Sequence, residues 1–208
     1  MRIDIWSDFA CPFCYIGKRR LEKALEDFEG RENVEIVWRS FQLDPSAPEK
    51  SDVDMVTGLA EKYNVSKERA QGMVDNMASM AKEAGLEYNF DDMVETNTLK
   101  AHRLANYSKE FGLAQEMNER LLKAHFMDGL NISDIETLGN LAAEVGLNKE
   151  DTIAMLNSDK YIEQIEMDRY ESRQLEISSV PFFVFDNKYA VQGAQPSEAF
   201  LQVLRKEY

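Results

Sequence analysis

The chain has 208 residues, of which 44% are hydrophobic and 10% are aromatic. This length and composition suit one domain, or one domain with a large insertion, and argue against a disordered chain. The formal net charge is -14, so the sequence lacks the basic surface of a nucleic-acid binder or of a protein that binds anionic membranes. No apolar run approaches the about 20 residues of a transmembrane helix. Polar residues near the N-terminus argue against a signal peptide, and the sequence therefore predicts a cytoplasmic protein.

The first 40 residues alternate between strand and helix patterns. Ile3 and Ile5 share one face of an alternating segment, which predicts a short strand. Pro12 suits the first turn of a following helix, and Gly30 suits its end. Apolar and polar residues alternate again over residues 34–38, which predicts a second strand. A strand, a helix and a strand within this length predict a parallel, right-handed βαβ unit.

A long helical region is predicted between residues 51 and 176. Ser66 can cap one helix, the segment 133–136 has the pattern of a capping box, and Asn148 can cap a short helix. The other predicted helices cover residues 99–111, 117–127 and 161–175.

Strand patterns return near the C-terminus. Phe182–Phe185 is an aromatic and β-branched run, and a turn at 186–188 separates it from a second short strand. A final helix is predicted to begin at Ser197. The predicted order is therefore βαβ, a helical block, and ββα.

Two cysteines, Cys11 and Cys14, are the only ones in the chain. A disulfide between them closes too short a loop to stabilise a fold. A zinc site needs four ligands, and the two histidines, His102 and His125, lack the spacing to complete one, so no metal site is expected. A Cys-X-X-Cys pair that follows a strand in a cytosolic chain is typical of a redox motif.

The position of each cysteine predicts its role. Cys11 lies where the first strand ends and the helix begins, and the free N–H groups and dipole of the helix favour its thiolate. Cys14 lies within the first turn, where the helix shields its thiol. We therefore expect Cys11 to attack a disulfide and Cys14 to resolve the mixed disulfide.

Three segments, in this order along the chain, carry a family resemblance. They are Ser7-Asp8-Phe9-Ala10-Cys11-Pro12-Phe13-Cys14-Tyr15-Ile16-Gly17, the run 97–103, and Val180-Pro181-Phe182-Phe183-Val184-Phe185 with 193–196 after it. The chain resembles the DsbA-like branch of the thioredoxin superfamily, and within it the FrnE-like cytoplasmic group. The resemblance implies an α/β fold with a mixed central sheet. Residues 1–45 and 177–208 would form the thioredoxin-like core, and residues 46–176 an all-helical insertion domain.

The resemblance also implies a site. In that family the proline at the position of Pro181 follows a cis bond and lies against the active cysteines, and Val180 would offer its backbone groups to an extended substrate. His102 and Asn97 match residues that line the cleft. The implied substrate-binding residues are Pro12, Phe13, Val180, Pro181, Asn97 and His102, beside the catalytic Cys11 and Cys14.

Two positions depart from the family pattern. Strongly oxidising relatives have histidine where this chain has Phe13, so we expect a weaker oxidant. Ser179 stands where the family often has glycine, which we expect to tighten the loop before Pro181.

The leading functional prediction is a cytoplasmic thiol–disulfide oxidoreductase of the DsbA/FrnE type, which would act as a reductase or isomerase or as a mild oxidant and needs no bound cofactor. Protein or peptide disulfides are its expected substrates, with a low-molecular-weight thiol as an alternative co-substrate, and the chain would act as a monomer or homodimer. One alternative is a kappa-type glutathione transferase or a 2-hydroxychromene-2-carboxylate isomerase-like enzyme. Another is a non-catalytic thioredoxin-like adaptor, which would keep its partner when both cysteines are replaced by serine.

Overall fold

The computed structural model describes residues 1–207. Its strands are β1 (Arg2–Ser7), β2 (Glu35–Ser40), β3 (Phe182–Phe185) and β4 (Tyr189–Gln192). Its helices are α1 (Pro12–Glu26), α2 (Met55–Tyr63), α3 (Lys67–Glu83), α4 (Leu99–Lys109), α5 (Ala114–Phe126), α6 (Ile135–Glu144), α7 (Lys149–Leu156), α8 (Ile162–Gln174) and α9 (Ser197–Glu207).

Two compact units make up the chain. The first unit contains Met1–Leu43 and the segment from Ile165 onward, and the second contains Asp44–Gln164. The first boundary lies beside the expected one at 45/46, but the second lies well before the expected one at 176/177. Most of α8 therefore belongs with the sheet rather than with the insertion, because Asp168 on this helix binds Arg39 and the backbone N–H of Ser40 at 3.0 and 2.8 Å.

The four strands form one mixed sheet in the order β2-β1-β3-β4. Strand β1 runs parallel to β2 and antiparallel to β3, and β3 runs antiparallel to β4. The predicted parallel pair and the predicted C-terminal hairpin are both confirmed. The α/β fold with a mixed sheet and a helical insertion is therefore the observed one.

Alternating apolar residues place the centre of the sheet in the core. Ile3 lies opposite Phe185 and Ile5 lies opposite Phe183, and all four side chains are almost fully buried. Phe200 on α9 meets the ring of Phe183 edge to face at 4.8 Å. Each such side chain stabilises the fold by about 1.5–3 kcal/mol relative to an exposed one.

The hairpin turn needs two residues with positive φ. Asp186 and Asn187 have φ values of 47° and 56°. Aspartate and asparagine tolerate this left-handed conformation, which matches the twist of two paired strands. The N–H of Lys188 closes the turn on the carbonyl of Phe185 at 2.9 Å.

Helix α1 ends earlier than the sequence predicts. Its buried stripe includes Ile16, Leu21 and Ala24, as the apolar spacing indicates. The helix stops at Glu26, not at Gly30, and a short 3-10 turn at Arg31–Asn33 leads into β2. The apolar periodicity continues beyond the point where the chain must turn back toward the sheet.

Side-chain caps define the helix starts of the second unit. Ser66 accepts the N–H of Arg69 at the start of α3, and Asn148 accepts the N–H of Asp151 at the start of α7, as predicted. Helix α6 is capped by Asp134 rather than by the predicted Ser133, since its carboxylate accepts the N–H of Thr137 at 2.7 Å. Helix α2 has an N-cap at Asp54 and was not predicted as a separate element.

Candidate active site

The two thiols lie at the junction of β1 and α1. Cys11 is the N-cap residue of α1 and Pro12 is its first residue, so the missing N–H of proline costs no helical hydrogen bond. The N–H of Cys11 donates to the carbonyl of Asp8 at 3.1 Å, and the N–H of Cys14 donates to the carbonyl of Cys11 at 3.0 Å. These bonds hold both cysteines in the first turn. Both thiols are free.

A largely apolar cluster surrounds the thiols. Cys11 and Cys14 are only 5% and 2% exposed. They pack in one cluster with Trp6, Ile177, Val180 and Val184, and three half-buried phenylalanines, Phe13, Phe41 and Phe182, lie against it. This packing excludes water from Cys14 and leaves aromatic surface beside the pair.

Burial acts most strongly on Cys14. Loss of solvation raises the pKa of the Cys14 thiol well above its usual value, and the nearby sulfur of Cys11 raises that pKa further. A hydrogen bond with Ser7 and another from the backbone N–H of Asp8, 3.4 Å from the Cys14 sulfur, act in the opposite direction but do not outweigh burial. Cys14 therefore stays a thiol at neutral pH in the reduced protein.

The segment before β3 faces Cys11. The Cys11 thiol donates to the carbonyl of Val180 at 3.4 Å, and the N–H of Gly193 donates to the carbonyl of Pro181 at 2.8 Å. The Val180–Pro181 peptide bond is cis, as the family resemblance implies. Within residues 1–207 no hydrogen bond of the Val180 N–H is seen. The structure thus brings Cys11, Val180 and Pro181 together.

Gly17 allows α1 to approach this segment closely. A Cβ atom at this position would lie 2.9 Å from Cγ of Pro181 and 3.2 Å from Cζ of Phe183. The first distance is shorter than van der Waals contact permits, so a larger residue would push the helix and the loop apart. The sequence offers only a weak signal for this contact, since a glycine inside a helical pattern is tolerated but can mark a close packing contact.

A buried ion network lies behind the site. Arg39 on β2 binds Asp4 at 2.8 Å and Asp168 at 3.0 Å, and its guanidinium lies 5.8 Å from the ring centre of Trp6. The indole N–H of Trp6 donates to the backbone carbonyl of Asp168 at 3.1 Å. The network therefore holds Trp6, which packs in the same cluster as both cysteines. Sequence reasoning missed these charges because they lie far apart along the chain.

Asn97 and His102 belong to the second unit. The side-chain amide of Asn97 donates to the carbonyls of Pro45 and Ala47, at 3.1 and 3.0 Å, and its oxygen accepts the N–H of Leu99. His102 is 3% exposed on α4. The contacts of Asn97 fix the loop before the insertion, and the binding roles expected for both residues stay predictions.

The described part of the chain contains neither a cluster of metal-ligand side chains nor a membrane-spanning helix. Within residues 1–207, no group of three or more histidine, cysteine, aspartate or glutamate side chains is arranged to hold a metal ion. No helix in that range has the length and apolarity needed to cross a bilayer.

Comparisons with known proteins show the family and the fold of the chain. A family model described as the DSBA-like thioredoxin domain matches residues 2–205. The crystal structure of a "probable DsbA oxidoreductase" from Streptomyces coelicolor is 40% identical, with a TM-score of 0.94 over 99% of this chain and 89% of that chain. The uncharacterized protein YwbO from Bacillus subtilis (strain 168) is 28% identical over 209 residues, which cover 100% of this chain and 97% of YwbO.

One further similar structure is the cytosolic disulfide reductase DsbM from Pseudomonas aeruginosa with GSH. It is 16% identical, with a TM-score of 0.68 over 100% of this chain and 98% of that chain. This likeness shows a shared fold.

Proposed function

Because the chain belongs to the DSBA-like thioredoxin domain family, we propose that it is a thiol–disulfide oxidoreductase with Cys11 and Cys14 as its redox pair. The observation that carries this proposal is the arrangement of two free thiols at the start of α1, with the Cys11 thiol directed at the Val180 carbonyl. A pair held only for packing would not need an N-cap position next to three half-buried aromatic side chains.

Cys11 acts as the nucleophile. It occupies the helix N-cap, and its thiol faces the segment before β3, where it donates to the Val180 carbonyl. Cys14 is more deeply buried and its pKa is raised, so it is protonated when the first attack occurs. The two environments separate the roles of attacking and resolving thiol.

The reaction has two exchange steps. The Cys11 thiolate attacks one sulfur of a substrate disulfide, which forms a mixed disulfide and releases the other substrate sulfur as a thiolate. Cys14 loses its proton and attacks the Cys11 sulfur, which forms the Cys11–Cys14 disulfide and releases the second substrate thiolate. The substrate gains two electrons and the enzyme pair loses two. A low-molecular-weight thiol such as glutathione returns these electrons by the reverse exchange.

The substrate we propose is a protein or peptide disulfide. The N–H and carbonyl of Val180 can pair with an extended chain in the way that an added strand pairs with a sheet edge. Phe13, Phe41 and Phe182 offer apolar contacts beside the sulfurs. The sequence predicts a cytoplasmic location and a FrnE-like role. Because the cytoplasm is reducing, this chemistry runs there as reduction of the substrate disulfide.

Turnover of a peptide disulfide with glutathione as reductant tests the proposal. The parent should reduce the peptide, Cys11→Ser should abolish turnover, and Cys14→Ser should lower turnover strongly, because glutathione must then resolve the mixed disulfide in place of Cys14. When glutathione is left out, Cys14→Ser should also accumulate the mixed disulfide with the peptide, which mass spectrometry detects, whereas Cys11→Ser should not. These two variants are matched controls for each other.

The same variants test the alternatives. A glutathione transferase or isomerase needs one group at the first motif position, so Cys14→Ser would keep full activity on its substrate and reduce no disulfide. An adaptor would keep its partner in the double serine variant. Either result, together with no turnover by the parent, would refute the oxidoreductase assignment.

A further inference from the structure

Three consecutive residues before β3 are each held by a different hydrogen bond. Gln192 donates from its side-chain amide to the hydroxyl of Ser179 at 2.7 Å. The Cys11 thiol donates to the Val180 carbonyl at 3.4 Å, and the N–H of Gly193 donates to the Pro181 carbonyl at 2.8 Å. The Val180 carbonyl thus lies between two fixed neighbours.

The bond between Ser179 and Gln192 differs from the others because it depends on two side chains. Gln192 is the last residue of β4 and lies opposite Phe182 in the strand pairing. Its backbone carbonyl accepts the side-chain amide of Gln195 at 3.0 Å, so the end of β4 is itself held in place. Ser179 is half-buried, and a glycine at its position would have no hydroxyl to accept the bond.

We propose that Ser179 and Gln192 form a positioning pair that fixes the Val180 backbone beside Cys11 and thereby sets the affinity for peptide disulfides. This inference rests on the proposed function. Val180 pairs with an extended substrate when its N–H and carbonyl are aligned with the substrate backbone. If the loop became ordered only on binding, the entropy lost in ordering it would weaken the affinity. The pair ties the loop to the hairpin before the substrate arrives.

The kinetic test compares two substrates. We expect Ser179→Ala and Gln192→Ala each to raise KM for a peptide disulfide about fivefold, the effect of one net hydrogen bond, with no fall in kcat. The double variant should be no worse than either single variant, since both remove the same bond. Ser179→Thr keeps the hydroxyl and should behave like the parent. Turnover of 2-hydroxyethyl disulfide, which has no peptide backbone, should not fall, and Gln174→Ala on the exposed face of α8 is the matched glutamine control.

Several results would overturn the inference. Equal losses with both substrates would mean that the two residues only support the local fold. Additive effects in the double variant would mean that they do not act as a pair. If the parent reduces neither disulfide, the proposed function itself fails.

A second measurement does not depend on turnover. Brief iodoacetamide labelling of the reduced protein measures access to Cys11. A displaced Val180 carbonyl no longer accepts the thiol hydrogen, so both alanine variants should label Cys11 several-fold faster than the parent, and Ser179→Thr should not. Unchanged labelling in the alanine variants would refute the positioning role whatever the turnover shows.

Discussion

Gly17 provides the sharpest test of how α1 approaches the loop before β3. Replacing glycine by alanine inside a helix normally stabilises a protein by about 0.5–1 kcal/mol, because alanine loses less conformational freedom. At Gly17 the added methyl group would lie 2.9 Å from Pro181 and 3.2 Å from Phe183, both of them buried. A ring of proline cannot rotate away, so the loop or the helix must move.

Gly72 is the matched control. It lies within α3, and a Cβ atom there would meet nothing within 4 Å. Both substitutions add the same methyl group to a helix interior, so the gain from helix propensity cancels when they are compared. The remaining difference is the cost of overpacking at Gly17, which is about 1–3 kcal/mol.

Urea unfolding measures this difference. With an m-value of about 2 kcal/mol per M, the midpoint of Gly17→Ala should lie about 0.5–1.5 M below that of Gly72→Ala. Circular dichroism follows both variants, and fluorescence of the two tryptophans, Trp6 and Trp38, follows the sheet unit to which both belong. If Gly17→Ala is as stable as Gly72→Ala, the close approach of α1 to Pro181 is wrong.

Three more outcomes follow from the site and the ion network. Brief alkylation at neutral pH should modify Cys11 well before Cys14, whose pKa is raised by burial, and peptide mapping that finds Cys14 labelled first would reverse their roles. Arg39→Met should destabilise the fold by about 3–5 kcal/mol in urea unfolding, because it leaves the fully buried carboxylate of Asp168 without its ion-pair partner; a loss below about 1 kcal/mol would mean that the pair behaves like a surface salt bridge. Burial acts to raise the pKa of Asp4, but hydrogen bonds from the neighbouring arginines hold it below its usual value. The ionised Asp4 carboxylate should therefore contribute its full share of the free energy of unfolding above about pH 4, and this share should be lost as the pH falls through the folded-state pKa. The difference in the free energy of unfolding between the parent and Asp4→Asn should thus shrink from pH 7 to pH 3. A gap that stays constant would contradict this assignment.

Much of the fold follows from signals that act over a few residues. Alternation predicts β1 and β2, the turn at 186–188 predicts the hairpin, and Pro12 predicts the start of α1. The Cys11–Cys14 spacing, beside a strand and before a helix, is likewise a local pattern, and it located the candidate redox pair. Such signals work because the alternation of side chains in a strand, the capping of a helix and the conformation of a turn each depend on only a few consecutive residues.

Local signals fail where two neighbouring residues can both cap a helix, or where an apolar periodicity continues beyond the end of the helix. Ser133 and Asp134 are both residues that cap helices well, and in the folded chain Asp134 occupies the N-cap position of α6. The apolar stripe of α1 continues toward Gly30, yet the helix stops at Glu26. In both cases the deciding factor is the direction the chain must take next, which periodicity does not contain.

The sequence alone therefore determines the order of the strands, the presence of a helical block between β2 and β3, and the place of the two thiols. Only the tertiary structure decides which distant residues meet. It places most of α8 with the sheet through Asp168 and Arg39, requires the smallest side chain at Gly17, and joins Ser179 to Gln192. These contacts depend on how folded elements pack in space, and packing pairs residues by shape and charge, whatever their separation along the chain.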